Sequence, residues 1–175
     1  ILCYRGFFRM EQYRLRHAHL HGQVMPRVVN KAGFDLVREF EGFCPDAYRC
    51  PSGKLTVGFG HTKGVTHETQ VSRDEAEELL REDLREAGEK VSMLITVPLN
   101  DNQFAALSSF VFNLGPLALL QSTLRKKLNQ GDYDAVPEQL KRWTKARHPH
   151  SGEMVDLPGL IRRRAAEAEL WSTPT

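Results

Sequence analysis

The sequence predicts an α+β fold in which a small β-hairpin lobe and a larger helical lobe are joined by a long helix, with a cleft between them. Three observations predict it. From Lys54 to Thr69, β-branched and aromatic residues broken by Gly58, Gly60 and Gly64 have the composition of a twisted hairpin or three-stranded sheet. Ser72-Arg73-Asp74-Glu75 is a capping box, with Ser72 bonding forward and Glu75 reaching back, and it opens a helical run to about Met93 that is long enough to bridge two lobes. A second box-like start, Asn100 to Gln103, opens a helix with Phe104, Leu107 and Val111 on one apolar stripe, which marks the core of the larger lobe. At 175 residues and 41% hydrophobic content, the chain can bury one such core without disulfides.

The elements follow in order. Residues 1–24 differ from the rest: Arg5, Arg9, Arg14 and Arg16 meet only Glu11, and His17, His19 and His21 alternate. They read as a basic N-terminal arm or extension to a catalytic domain spanning residues 25–175. Asn30 suits the N-cap of a helix through Phe34, Val37 and Phe40, a spacing that gives one apolar face. The chain breaks that helix by Pro45 and turns through Pro51-Ser52-Gly53 into the hairpin. The Asn100 helix ends at Asn113-Leu114-Gly115-Pro116. Further helices are expected over about 117–129, 132–144 and 160–171, and the polar loop 145–158, with His148 and His150, is placed at the rim of the cleft.

Composition excludes several classes. The three cysteines, Cys3, Cys44 and Cys50, match neither a zinc ligand set nor a redox C-x-x-C pair. No run is long and apolar enough to span a bilayer, so no stable membrane insertion is expected. The glycines after Val57 lack the spacing and following helix of a nucleotide loop. A formal net charge of +2 suits approach to an anionic surface and argues weakly for nucleic acid, which is not expected as a partner.

The chemistry concentrates between Glu41 and Thr62. Glu41 lies four residues after Val37 and seven after Phe34, so it shares the helix's apolar face near its end. A partly desolvated carboxyl favours its neutral form, as a general acid requires. Cys50 and Thr56 return opposite it on a loop and short strand. Glycoside hydrolysis needs such a pair of functions, a proton donor at the leaving oxygen and a second group that attacks the sugar or activates a water. Singly, each residue has a plainer reading as solvated charge, small buried thiol or β-former. Their joint spacing favours chemistry.

In that order, E-x8-C-x5-T followed by Val57-Gly58-Phe59-Gly60-His61-Thr62, the segment resembles the phage-type lysozymes, the endolysin muramidases of glycoside hydrolase family 24. The resemblance extends through Asn100–Leu107, Phe112–Gly115, Ser122–Leu124 and Leu157–Arg164, covering roughly Asn30 to Trp171. It implies a lysozyme-like fold and hydrolysis of the β-1,4 bond between N-acetylmuramic acid and N-acetylglucosamine in bacterial peptidoglycan. Glu41 is then the acid, Thr56 holds the attacking water, and Cys50 stands where many members carry Asp. Asn113, Phe59 and Gly60 are the expected substrate-binding residues. No cofactor and no metal are implied. The implied protein is a monomer that stays in the host cytoplasm until a separate membrane-permeabilising protein releases it to act on the cell wall. A groove-bearing protein that binds peptidoglycan without turnover remains the alternative.

Two further pairings are expected. An arginine from Arg162-Arg163-Arg164 approaches the catalytic glutamate in the family, while Glu167 and Glu169 lie near helical spacing for ordinary surface ion pairs with that triplet. Ala76, Leu80, Asp83 and Ala87 form one stripe of the long helix, so Asp83 needs a partner, and the resemblance brings His61 against it.

Overall fold

The computed structural model describes residues 27–50, 53–147 and 151–175. The basic arm at 1–24 with its alternating histidines, and His148 and His150, lie outside the described residues. Helix α1, Lys31–Glu41, begins where the Asn30 side chain accepts a hydrogen bond from Gly33 N, and ends at Gly42, whose φ of 68° reverses the chain. Glycine is the residue that adopts that conformation without a Cβ penalty.

Strand β1, Cys44–Arg49, pairs antiparallel with β2, Leu55–Gly58, placing Tyr48 opposite Thr56 and Cys44 opposite Gly58. The register shifts between Cys44 and Tyr48, so the segment containing Pro45 bulges, as a residue without an N–H requires. The first strand of the hairpin therefore precedes the turn, and lies outside the 54–69 span expected from composition. On its other side β1 receives the returning chain, with Ala47 N donating to Thr69 O and Val71 N to Pro45 O. The two-residue exchange between Val57 and His61 folds the chain tightly over Gly58 and Gly60, both at positive φ.

Helix α2, Arg73–Leu94, carries the complete capping box at Ser72 and Glu75. Its 22 residues extend roughly 33 Å and contribute to both cores. Ala76, Leu80 and Leu84 pack with Phe34, Val37 and Phe59, while Ala87, Val91 and Leu94 join the larger cluster. Helix α3, Asp101–Leu114, has its own box at Asn100 and Gln103 and runs through the centre of that cluster, with Phe104 through Val111 buried. The span expected as one helix at 117–129 is two, α4 Pro116–Gln121 and α5 Thr123–Leu128, because Ser122 adopts extended backbone and its hydroxyl caps the second. Helix α6 covers only Val136–Lys141. In place of a plain loop, β3 Lys145–Arg147 and β4 Met154–Asp156 form a second antiparallel pair. Helix α7, Pro158–Ser172, packs against α6, α3 and α1, which brings the C-terminal arginines under the end of α1. The mixed architecture is the expected α+β one, with helices dominating.

Candidate active site

Glu41 is the last residue of α1, and the end of that helix delivers its carboxylate to the junction of the lobes. Oε1 is engaged by Nη1 of Arg163 in an ion pair whose arginine is almost wholly buried while the glutamate side chain retains 22% exposure. Oε2 lies against the tight turn of the hairpin. A Cβ built on Gly60 would sit 3.3 Å from Oε2 and 3.7 Å from Phe112 Cζ, at a φ of +94°. Gly60 therefore stands beside the candidate acid, where any side chain would crowd it.

The other expected residues, Thr56 and Cys50, belong to the hairpin. Thr56 is buried and its hydroxyl donates to Lys54 O at 3.3 Å. Cys50 is half-buried and its backbone fixes the turn, with Cys50 N donating to Lys54 O at 2.9 Å and Gly53 N to Cys50 O at 2.8 Å. Tyr48, cross-strand partner of Thr56, joins the group unannounced by the sequence. Burial, then the neighbouring Cys44, Glu41 and Cys50, push its phenol above its ordinary value of 10.0, which places it amid these acidic groups. Phe59 is only 2% exposed and tilts against Phe43 with ring centroids 5.5 Å apart. Its ring packs in the small-lobe core with Phe34, Val37 and Leu80.

Beneath Glu41 lies a buried charge network. Arg163 and Arg164, consecutive on α7, are 3% and 0% exposed. Glu167, also 0% exposed, receives through Oε1 bonds from Ser109 Oγ at 2.7 Å, Arg164 Nη2 at 2.8 Å and Arg163 Nε at 3.4 Å. Burial pushes the Glu167 carboxyl up, against the pull of Arg164 and Arg163, and pushes Arg164 down to about 10. Arg164 Nη2 also donates to Asn113 Oδ1 at 3.1 Å, so the oxygen of the Asn113 amide is engaged from within the network. The arginine expected near the acid is thus Arg163. Glu167, expected in surface pairs, is inside, and Ser109 carried no sequence signal at all.

His61 and Asp83 meet as expected, Nδ1 to Oδ2 at 2.8 Å, and His61 Nε2 lies 3.0 Å from Lys63 O. Both ring nitrogens are engaged away from Glu41, so the pair braces the hairpin against α2. Among the described residues no group of three or more His, Cys, Asp and Glu could hold a metal ion, and no helix is long and apolar enough to cross a membrane.

A carboxylic acid at a helix end, set against the tight turn of a β-hairpin in a mixed fold with two apolar cores, has the form of a lysozyme-like glycosidase. Comparison with known proteins agrees. The phage lysozyme family matches residues 38–167. An endolysin of Acyrthosiphon pisum secondary endosymbiont phage 1 is 39% identical over 145 residues, covering 83% of this chain and 98% of the relative. The endolysin of Salmonella phage P22 is 33% identical over 148 residues, 82% of this chain and 97% of the relative. Among solved structures, the muramidase domain of SpmX from Asticaccaulis excentricus aligns with a TM-score of 0.78 and 38% identity, covering 83% of this chain and 98% of that one. A P22 lysozyme variant aligns with a TM-score of 0.72 and 32% identity, over 84% and 99% of the two chains. The chain belongs to the phage lysozyme family and is a glycoside hydrolase of the endolysin type, a muramidase acting on peptidoglycan.

Proposed function

We propose that Glu41 is the acid of this muramidase and protonates the oxygen of the β-1,4 bond between N-acetylmuramic acid and N-acetylglucosamine, while Cys50 and Thr56 position and activate a water or Cys50 attacks directly. The observation that carries the assignment is the setting of the carboxylate, with Oε1 pinned by a buried guanidinium and Oε2 beside Gly60, where no side chain competes for space. A carboxyl fixed in this way meets the leaving oxygen in one orientation, which is what positioned proton transfer needs. In this reading Asn113 Nδ2 donates to a substrate N-acetyl carbonyl, Gly60 leaves room for the sugar chain, and Phe59 supports that turn from the core side. The enzyme works as a monomer without a cofactor, stays in the host cytoplasm until a separate membrane-permeabilising protein releases it, and then degrades the wall.

The test is release of reducing ends from purified peptidoglycan by the parent and by Glu41→Gln, with folding checked by circular dichroism. The amide keeps the shape and the acceptor for Arg163 but delivers no proton, so turnover is expected to fall on the order of a hundredfold or more. Turnover by the folded variant at the parent's rate would remove Glu41 from the mechanism.

A further inference from the structure

Placing consecutive arginines in a protein interior is costly, because each guanidinium loses its hydration and must be met by a counter-charge. Among the described residues α1 supplies one such charge, Glu41, and α7 the other, Glu167. Glu41 keeps part of its side chain exposed; Glu167 is fully buried and touches only its own network. The three nitrogens of the Arg163 fork are divided between these elements. Nε faces Glu167 Oε1 at 3.4 Å, Nη2 faces Ser109 O at 3.5 Å and Oγ at 3.4 Å, and Nη1 meets Glu41. A guanidinium is planar and rigid, so holding two nitrogens from behind sets the direction of the third. Phe40 and Phe112, with centroids 5.9 and 6.0 Å from Arg163 Cζ, complete its surroundings.

Stability does not account for this arrangement. Buried ion networks are commonly no better than well-packed apolar residues of the same volume, because desolvation offsets the attraction. Here the network even leaves Arg164 Nε, Arg164 Nη1 and Glu167 Oε2 without a hydrogen-bonding partner. Its one charged member with appreciable exposure is Glu41. From this we infer that Glu167 is a positioning residue for the reaction, anchoring Arg163 from the core side so that its guanidinium presents Glu41 in one orientation and with its charge partly compensated. The inference rests on the reading of Glu41 as the proton donor.

The charge argument gives the sign. The groups facing Glu41 are Arg163 and, further off, Arg164 from α7 and Tyr48 from the hairpin; those facing Glu167 are Arg163 and Arg164 from α7 and Ser109 from α3. With Glu167 ionised, two carboxylates balance two guanidiniums. Without its charge, Arg163 acts on Glu41 with nothing opposing it, which favours the carboxylate over the acid form needed for proton donation.

The experiment measures kcat, KM and the pH profile on purified peptidoglycan for the parent, Glu167→Gln and Ser109→Ala, with Glu41→Gln as reference. Glu167→Gln keeps shape and one acceptor oxygen. It is expected to lower kcat about tenfold with KM little changed, and to move the alkaline decline of activity to lower pH. Ser109→Ala, which removes a hydroxyl shared by Glu167 and Arg163, is expected to lower kcat severalfold with KM unchanged. It decides the matter if the glutamine variant does not fold. A folded Glu167→Gln with the parent's kcat and pH profile overturns the inference, as does a parent-like Ser109→Ala beside an unfolded glutamine variant. Parent-level turnover by Glu41→Gln refutes the acid assignment instead, and so is distinguishable.

Discussion

Gly33→Ala isolates the contact that seats the catalytic helix. Gly33 lies in the first turn of α1 and faces α3. A methyl added there would meet Ala105 Cβ at 2.5 Å, Val29 Cγ1 at 2.7 Å and Ala105 Cα at 3.3 Å. Carbon atoms pack favourably at about 3.5–4.0 Å, so the shortest contact is about 1 Å too close. Two effects compete. Alanine gains up to ~1 kcal/mol over glycine in a helix, partly by restricting the unfolded chain. Overpacking a well-filled core costs typically ~1–3 kcal/mol. The obstacle decides the sign. Ala105 is fully buried at the centre of α3 and has no rotamer with which to yield, so the backbones must part and the upper part of that range applies. A net destabilisation of about 1–2 kcal/mol is expected, lowering Tm by roughly 2–8 °C for a domain of this size. Because Glu41 rides about 12 Å further along the same helix, the displacement should also reduce turnover severalfold well below Tm. Thermal and denaturant melts together with wall hydrolysis at 25 °C provide the assay. An alanine variant as stable as the parent or more so would show that the close approach of α1 and α3 does not constrain the packing.

Two other perturbations test neighbouring features. Gly60→Ala forces a side chain into φ +94° and sets its Cβ 3.3 Å from Glu41 Oε2; stability should fall by about 1–2 kcal/mol and hydrolysis by at least about tenfold, as expected for a misplaced catalytic group. Parent-level turnover would separate Gly60 from the acid. Ser72→Ala removes the cap of α2 and should cost ~1 kcal/mol near neutral pH. In the parent, the Ser72 backbone N–H and then its hydroxyl hold the Glu75 carboxyl below its ordinary value of 4.5. That contribution is present above the ordinary value and is lost as pH falls through the lower folded one. The stability gap between parent and variant should accordingly narrow on acidification, and melts at pH 7 and about 3 would show it; a gap that widens refutes the box.

Much of the scaffold was legible because its signals are short-range. The caps at Asn30, Ser72 and Asn100 each bond a backbone N–H three residues ahead, so the sequence displays donor and acceptor side by side. The stripe that placed Asp83 on the inner face of α2 is likewise a matter of helical period, and His61 completes it at 2.8 Å. The spacing of Glu41, Cys50 and Thr56 was legible because one helix end and one hairpin segment carry all three. Boundaries suffered where a short-range rule met a tertiary demand. Ser122 divides one expected helix because its hydroxyl caps a new one, and β1 forms through Pro45 because the bulge accommodates it.

The tertiary structure alone decided how the acid is held. Glu41 and Arg163 are 122 positions apart, and Ser109 and Glu167 are 58 apart; no local period relates them. Helical spacing gave Glu167 an arginine partner three and four residues before it but not which side of α7 faces water. That side was settled by packing α7 against α1, α3 and α6 together, which buries adjacent positions that an amphipathic helix with one partner would divide between core and solvent. Phe59 turned inward for a similar reason, since a tight turn fixes side-chain direction through backbone geometry that composition does not display. Sequence by itself determined the caps, the core stripes and the spacing of Glu41, Cys50 and Thr56, which depend on neighbours along the chain. The charge network beneath Glu41 depends on neighbours in space, and only the assembled helices bring them within hydrogen-bonding distance.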